Sequence, residues 1–292
     1  MFIENFYNKK YDSIEVLMKA YLNLNLLSIN SYANNDLLLK QGSAENTVEY
    51  KYHYQLHRAM QIENVNDGGK LIRLGREYDG GYILYRDSNG IVSRNKIAYS
   101  LGISDDVSFD LDIAQMGYDI YQYDHTISSL PEENEHFHWK KIGITGSKES
   151  KILKSLETLI HDNGHENLKG MLLKADIEGA EWDMINNCSE NTLSKFDQIV
   201  IELHNLCSYE NRDSILEALT KLSKTHSAVH IHANNNSYVN FSGNLITPNV
   251  LEVTFLLKDN YSFSKSNKTL PIDLDQPCRK EFNEILLGFW NV

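Results

Sequence analysis

From residue 70 onward, short apolar runs alternate with stretches of helical periodicity, and this alternation constrains the fold more than any other feature. It is typical of a parallel sheet with crossover helices. Five or more such β-α steps predict a doubly wound α/β sheet that binds ligands at the carboxyl ends of its strands. The predicted strands are Ile97–Leu101, Asp119–Tyr123, His138–Ile144, Met171–Ala175, Gln198–Leu203, Ala228–His232 and Leu251–Leu257, with helices near 106–116, 149–163, 180–190, 211–225 and 278–288.

The N-terminal part of the chain has a different pattern. Its apolar residues recur every three or four positions, which predicts an amphipathic helix, and a second helix is expected over 45–62. We therefore expect a helical N-terminal extension over 1–66 and one larger domain over 67–292. The residues that carry the first helical pattern are Ile14, Leu17, Met18, Tyr21, Leu22 and Leu26.

Composition argues against several classes of protein. The chain has 28 Lys and Arg residues against 40 Asp and Glu residues, a net charge of −12, so we expect no nucleic-acid partner. No run approaches the about 18 apolar residues of a spanning helix, and residues 1–16 lack the order of a signal peptide, so we expect a cytoplasmic protein. Cys188, Cys207 and Cys278 form no C-x-x-C pair, which predicts neither a disulfide framework nor a thiolate zinc site.

Each of the first two predicted strands is followed by a residue that suggests a nucleotide pocket. Gly102 follows the first strand and would let the backbone approach a ligand closely, and Asp124 ends the second strand 22 residues later. A carboxylate at that distance can bind the two hydroxyls of a ribose. The alternatives are an ordinary strand-to-helix turn at Gly102 and a capping or solvated Asp124. The absence of a G-x-G-x-x-G pattern counts against an NAD enzyme.

Polar residues also follow three later strands. Asp176, Glu178 and Glu181 lie within six residues of one another, and such crowding calls for a raised pKa or a cation. The alternative is that Glu178 and Glu181 only complement the dipole of the next helix, which fits Glu181 better. Glu202 and His204 share one strand face, as do His230 and His232, so catalysis or a divalent ion is expected where they converge with Asp176. A lone histidine there would more often be structural.

The segment Arg73–Tyr82 contains Asp-Gly-Gly, which favours a hairpin or tight turn. Its Arg73, Arg76 and Tyr82 side chains offer contacts to an anionic or sugar ligand, and a simple turn is the alternative.

Taken together, these segments resemble the FkbM-like branch of S-adenosylmethionine-dependent methyltransferases, especially bacterial proteins that modify capsules and other surface glycans. The resemblance covers about 70–257, and Lys-Ala-Asp-Ile-Glu-Gly-Ala-Glu-Trp is its most specific segment. It implies a class I methyltransferase fold with a seven-stranded sheet whose last strand, Leu251–Leu257, is antiparallel. The matching segments are Arg73–Tyr82, Tyr99–Asp106, Tyr123–Thr126, Leu173–Trp182, Ile201–His204 and His230–Asn235.

The resemblance also implies site residues. Gly102 would lie against the methionine part of S-adenosylmethionine, Asp124 would hold the ribose, and Gly143 would border the adenine. Glu178, Asn205 and Asn234 are assigned to the acceptor. The full set assigned to the cofactor is Asp79, Tyr82, Ser100, Gly102, Ile103, Asp124, His125 and Gly143.

The expected reaction is O-methylation of a sugar hydroxyl, free or in a nucleotide-activated sugar, for surface polysaccharide. Asp176 and His204 are the catalytic candidates, and His204 is the better base because its reference pKa of about 6.5 suits neutral pH. If a divalent metal takes part, Asp176, His204 and His232 are its expected ligands. A nucleotide-dependent oxidoreductase and a catalytically silent cofactor-binding subunit are the alternatives. The apolar N-terminal helices favour a homodimer.

Overall fold

The computed structural model describes residues 47–292, and a seven-stranded mixed sheet forms the centre of this part of the chain. Helices cover both faces of that sheet, as the two separate sets of core residues on its faces show. In chain order the strands are β1 (Glu63–Val65), β2 (Lys70–Leu74), β3 (Tyr82–Arg86), β4 (Ile97–Leu101), β5 (Asp119–Tyr123), β6 (Phe137–Lys140), β7 (Gly143–Ile144), β8 (Leu153–Lys154), β9 (Met171–Ala175), β10 (Phe196–Leu203), β11 (His226–Ala233), β12 (Val239–Ser242), β13 (Leu245–Pro248), β14 (Leu251–Leu257), β15 (Phe263–Lys265), β16 (Thr269–Leu270) and β17 (Gly288–Phe289).

The helices fall between the strands of the central sheet, apart from one that precedes them. None of the helices among residues 47–292 has the length and apolar character needed to cross a bilayer. Two short 3₁₀ turns lie at Tyr209–Asn211 and Lys258–Asn260. The α-helices are α1 (Val48–Ala59), α2 (Ser108–Gln115), α3 (Leu156–Asp162), α4 (Glu181–Asn187), α5 (Glu190–Leu193) and α6 (Arg212–Thr225).

Strand order determines where a ligand can bind. The sheet runs β11-β14-β10-β9-β4-β5-β6, and all strands are parallel except β14, which is antiparallel to both β10 and β11. This confirms the predicted class I methyltransferase fold and its antiparallel last strand. The chain builds outward in one direction from β4 and in the other from β9, so the carboxyl ends of these two neighbouring strands face a topological switch point.

The first described helix, α1, packs into the same core as the sheet. Leu56 and Met60 are fully buried there, and Trp290 donates a hydrogen bond from Nε1 to the Met60 carbonyl at 2.9 Å. This confirms the second predicted helix. The helix expected around Ile14–Leu26 lies outside the described residues, so the extension over 1–66 and the homodimer stay predictions.

Some predicted elements were wrong in extent. The strand expected over 138–144 is two strands, because β6 joins the central sheet whereas β7 pairs with β8. The helix expected near 149–163 begins only after Ser155, whose hydroxyl accepts a hydrogen bond from the backbone N–H of Thr158. The helix expected near 180–190 is interrupted before Ser189, whose hydroxyl accepts from the backbone N–H of Thr192. A side-chain oxygen in this position starts a new helix.

The helix expected near 278–288 was wrong. Ile285 and Leu287 are buried, whereas Leu286 between them is only partly so, and the chain then forms the short strand β17. Burial at every second residue is the period of extended chain. The apolar residues of this segment therefore fill separate gaps in the core, and none of residues 278–288 is helical.

Candidate active site

A cavity of about 300 Å³ opens at the carboxyl ends of the central strands, beside the switch point between β4 and β9. It gathers residues that lie far apart in the sequence. The predicted site residues that line it are Asp79, Tyr82, Ser100, Ile103, Asp176, Glu178, His204 and Asn234.

The turn after β4 requires a glycine. Gly102 has a φ of +79°, and a Cβ atom there would lie 1.7 Å from the carbonyl oxygen of Asp176. The buried Lys174 donates from Nζ to the Gly102 carbonyl at 2.5 Å. A side chain would therefore push the β4 turn away from the end of β9, which explains why this position is a glycine.

Asp124 holds the same turn in place. Its Oδ2 accepts from the backbone N–H groups of Ile103 and Ser104, both at 2.9 Å, and its Oδ1 accepts from the N–H and hydroxyl of Thr126 at 2.7 and 2.6 Å. Burial opposes ionisation, but these bonds prevail and lower the pKa of Asp124 to about 2. Because four hydrogen bonds fill the acceptor capacity of a carboxylate, a ribose could bind Asp124 only by replacing one of them.

Two other residues assigned to the cofactor meet each other outside the cavity walls. A Cβ atom on Gly143 would lie 2.3 Å from Nδ1 of His125, so the imidazole packs directly on the glycine. Neither residue lines the cavity. The assignment of both residues to the cofactor, with Gly143 beside the adenine, stays a prediction.

Asp176 faces the cavity from the end of β9. The Tyr82 hydroxyl donates to its Oδ2 at 2.8 Å, and Lys174 Nζ lies 4.0 Å from the same oxygen. Burial and the charge of Asp176 raise the pKa of Tyr82 well above its usual value, so the phenol stays protonated and donates. Asp176 Oδ1 is directed toward His204.

The imidazole of His204 connects a buried carboxylate to the cavity. Its Nδ1 lies 3.0 Å from Oε1 of Glu181, which is fully buried. Because a carboxylate only accepts hydrogen bonds, Nδ1 carries the proton of this contact. On the cavity side, Nε2 lies 3.5 Å from Glu178 Oε2, 3.9 Å from Glu202 Oε2 and 4.0 Å from Asp176 Oδ1.

The surrounding charges control the protonation of His204. Burial alone would lower its pKa, but the hydrogen bond to Glu181 and the charges of Glu181, Glu202 and Asp176 raise the pKa to about 9. The imidazole is therefore cationic at neutral pH before an acceptor binds. A base with this pKa can accept a proton from a hydroxyl once it has lost its own.

Glu181 has a second role in the turn before α4. Its Oε1 also accepts from the backbone N–H groups of Ile177 and Gly179, at 3.0 and 3.2 Å. The interpretation of Glu181 as a helix-terminus charge is therefore incomplete, because the same oxygen orients His204. Sequence analysis missed this pairing, since nothing in the spacing indicates which histidine a buried carboxylate will meet.

Glu202 is a further cavity residue that the sequence analysis placed on the right face without assigning it a role. Asn234 donates to its Oε1 at 2.5 Å, and the side chain is almost fully buried. Burial, followed by the charges of Asp176 and Glu252, raises the pKa of Glu202 well above its usual value. The signal was the alternation of Ile-Glu-Leu-His, which puts Glu202 beside His204.

His232 does not join Asp176 and His204. Its two ring nitrogens lie 3.0 Å from carboxylate oxygens of Glu252 and Glu284, in a separate buried cluster. The predicted metal trio of Asp176, His204 and His232 is therefore corrected: Glu202 takes the place of His232, and the donor atoms of Asp176, Glu202 and His204 lie within 4.8 Å of one another.

Asn205, assigned to the acceptor, does not line the cavity. It has a φ of +61°, and its side-chain amide nitrogen lies 3.0 Å from the position of a Cβ on Gly179. It thus packs against the turn that precedes α4.

Within the described part of the chain, the walls of the cavity are strongly acidic. They carry seven carboxyl groups and only three basic side chains, Arg76, Lys174 and His204. Such a surface favours a cation or a neutral polar ligand over an anion. The carboxyl groups belong to Asp79, Asp105, Asp106, Asp110, Asp176, Glu178 and Glu202.

Two comparisons with known proteins found similar chains. The chain is 28% identical over 118 residues to the probable methyltransferase-like protein 24 of Homo sapiens and to that of Rattus norvegicus. The aligned part is 36% of this chain and 32% of each relative, so the match spans about a third of their length. A crystal structure of a SAM-dependent methyltransferase from Agrobacterium tumefaciens aligns with 60% of this chain and 67% of its own, at 8% identity and a TM-score of 0.31.

The sequence pattern of one protein family extends over the whole site. The methyltransferase FkbM domain matches residues 64–235, which is more than half of the chain. This range contains the Gly102 turn, Asp176 and its neighbours, and the Glu181–His204 pair. The chain therefore belongs to the family of methyltransferase FkbM domains.

Proposed function

We propose that this protein transfers a methyl group from S-adenosylmethionine to a hydroxyl of a sugar, within or on the way to a surface polysaccharide, in the cytoplasm. The observation that carries this proposal is the position of His204. Its Nε2 faces the cavity while Nδ1 bonds to the buried Glu181, which is the arrangement of an oriented general base.

The residues around the cavity fit the proposed cofactor. Ser100, Ile103 and Ser104, on either side of Gly102, line the cavity beside β4. The excess of carboxyl groups complements the positive charge of a sulfonium and of an amino acid ammonium. When bound, S-adenosylmethionine supplies a methyl group activated by the positive sulfur.

The protein's own part in the reaction is to position the acceptor and remove one proton. His204 Nε2 takes the proton from the acceptor hydroxyl, and Glu181 stabilises the imidazolium that results. Asp176, held by the hydroxyl of Tyr82, and Glu202, held by Asn234, offer oxygen atoms to the other hydroxyls of a sugar. Alignment of the acceptor contributes most of the rate, because methyl transfer from a sulfonium needs little covalent assistance.

A divalent ion is a separate question within the same proposal. The oxygen and nitrogen donors of Asp176, Glu202 and His204 suit a hard or borderline cation. The proton transfer above needs a free Nε2 on His204, because Nδ1 is bonded to Glu181, so an ion bound to Nε2 would replace that step. Comparing activity with and without a chelator decides whether an ion takes part.

The proposal is tested with labelled cofactor and a panel of neutral sugars, nucleotide-activated sugars and surface-glycan fragments. We expect label transfer to a hydroxyl by the wild-type protein and its loss in His204→Ala. Cofactor binding is measured in both by the thermal shift with S-adenosylhomocysteine, with NAD as the control ligand. Retained binding with lost transfer supports an enzyme. Stabilisation by NAD instead would favour the oxidoreductase, and binding without transfer by the wild type to any acceptor would favour a silent subunit.

A further inference from the structure

A second cluster of ionisable side chains lies outside the cavity. His232 of β11 and Glu252 of β14 are directly opposite each other across the antiparallel pair, and Cys278 of the C-terminal segment (residues 266–292) completes the group. All three are buried, and their donor atoms lie within 4.8 Å of one another. The spacing of the cysteines does not indicate this group, because the fold brings the thiol to two residues of neighbouring strands that lie 26 and 46 positions before it in the sequence.

The geometry of the cluster is that of a ligand set. Nδ1 of His232 lies 3.0 Å from Glu252 Oε2, and Sγ of Cys278 lies 3.4 Å from Glu252 Oε1. The opposite ring nitrogen of His232, Nε2, lies 3.0 Å from Glu284 Oε1. A carboxylate behind the imidazole is the usual partner of a metal-bound histidine, since it fixes the ring and its tautomer.

Charge gives a second reason to expect a cation. Without an ion, the carboxylates of Glu252 and Glu284 surround the imidazolium of His232, and the Cys278 thiol beside them is neutral. This leaves negative charge in a buried region. Burial and the charge of Glu252 raise the pKa of the Cys278 thiol, so the thiol stays protonated in that state. A dication would compensate the charge and convert the thiol into a thiolate ligand.

We propose that His232, Glu252 and Cys278 bind a zinc ion that holds the C-terminal segment on the sheet. One nitrogen, one sulfur and one carboxylate oxygen form a donor set that zinc accepts, and the thiolate excludes magnesium and calcium. Binding forms a bond from zinc to Sγ and releases the thiol proton to solvent. A water molecule completes the coordination.

The cluster lies between the sheet and the C-terminal segment. The strands β16 and β17 of this segment pair only with each other, and contacts such as that of Asp275 with His230 at 2.8 Å attach the segment to the sheet. From this segment, Gln276 accepts a hydrogen bond from the backbone N–H of Tyr78 at 2.8 Å. Tyr78 belongs to the loop that carries Arg76 and Asp79 into the cavity wall, so the zinc ion would also steady one side of the active site.

Metal content tests the proposal on the full chain. The wild type, Cys278→Ser, His232→Gln and the control Cys207→Ser are incubated with zinc, dialysed and analysed for bound metal. Cys207 is a free cysteine outside the cluster. We expect the wild type and Cys207→Ser to retain one zinc ion per chain more than the two cluster variants, whatever the Asp176–Glu202–His204 group in the cavity binds.

Cobalt titration of the metal-free protein identifies the ligand directly, even if His232→Gln fails to fold. A thiolate-to-cobalt charge-transfer absorption is expected for the wild type, Cys188→Ser and Cys207→Ser and is expected to be absent for Cys278→Ser. A wild-type protein that retains no more zinc than Cys278→Ser overturns the proposal, as does an absorption that survives in Cys278→Ser. Neither measurement uses methylation, so this proposal can fail while the proposed function stands.

Discussion

At the scale of single residues, the two nitrogens of His204 have different tasks. Nδ1 is occupied by a carboxylate that solvent cannot reach, whereas Nε2 faces the cavity. A buried partner holds the ring in one orientation, and the same negative charge makes the ring more basic. Orientation and basicity therefore come from one contact, that with Glu181.

Under the proposed mechanism, the pH dependence of methylation follows from this contact. His204 must be neutral to accept a proton, and its pKa is about 9. Below that pH, we expect the rate at saturating acceptor to rise about tenfold per pH unit, and to level off above about pH 9. A pH-rate profile measures this directly, and a plateau already reached at pH 7 would contradict it.

Replacing Glu181 by glutamine separates the effect of its charge on His204 from its effect on the orientation of the ring. In Glu181→Gln the amide still bonds to the ring, but the charge that raises the pKa of His204 is gone. We expect the midpoint of the pH-rate profile to move below pH 9 and the plateau rate to fall about 10- to 100-fold, the range for a hydrogen bond to a charged group. Glu190→Gln, an exposed carboxylate on α5, is the matched control and should change neither. An unchanged midpoint in Glu181→Gln would show that the charge of Glu181 does not set the pKa of the catalytic group.

Gly102 can be tested against another glycine of the same backbone conformation. Gly102 and Gly117 have φ angles of +79° and +80°, but a Cβ on Gly117 would meet nothing within 4 Å. Gly117→Ala should therefore cost only the backbone strain, about 1–2 kcal/mol. Gly102→Ala adds the collision with Asp176, so we expect a loss above about 3 kcal/mol in the free energy of unfolding. Denaturant titration of both variants measures these losses in the free energy of unfolding. Equal losses would show that the Gly102 turn moves to accommodate the added methyl group.

Sequence reasoning reached Asp176 and His204 because strand ends meet at one edge of a parallel sheet, and that rule needs only strand positions. It did not reach the roles of Lys174, Glu181 and Glu202. Each of these is defined by the group it meets, which is a backbone carbonyl, an imidazole and an amide from other segments. Such pairings depend on strand order and register, which spacing along the chain does not contain.

At the scale of elements, strands were predicted more accurately than helix ends. Four strands, β4, β5, β9 and β14, have the predicted bounds, because each concentrates at least three apolar or aromatic side chains in five to seven residues. The helix wrongly expected at residues 278–288 has a different cause. Apolar side chains that fill separate gaps leave a mixed pattern, and spacing alone does not distinguish it from a helix.

The helix α1 offers the sharpest test of an element's role. Leu56 is fully buried between α1 and the core, whereas Tyr54 on the same helix is 38% exposed. We expect Leu56→Ala to lower the free energy of unfolding by about 2–5 kcal/mol, because it leaves a cavity in the core. Tyr54→Ala, the control, should change it by about 0.5 kcal/mol or less. Chemical denaturation measures both, and a small loss in Leu56→Ala would make α1 a separable extension.

At the scale of the whole molecule, we expect charge to select among acceptors. The chain carries a net charge of −12, and carboxyl groups dominate the cavity. An acidic cleft with low-dielectric walls repels anions and strengthens that repulsion at low ionic strength. A nucleotide-activated sugar could then be an acceptor only if its diphosphate stays outside the cavity.

A pair of acceptors that differ only in a phosphate group measures this selection. We expect the neutral sugar to have the higher kcat/KM at low salt, and added salt to raise kcat/KM for the phosphorylated sugar while leaving the neutral one nearly unchanged. Both trends have one cause, since counterions screen repulsion between the acceptor and the carboxyl groups of the cavity. Asp105→Asn, which removes a charge from the rim without touching His204, should reduce the difference between the two acceptors. A phosphorylated acceptor that reacts faster at low salt would show that Arg76 and Lys174 outweigh the surrounding carboxylates.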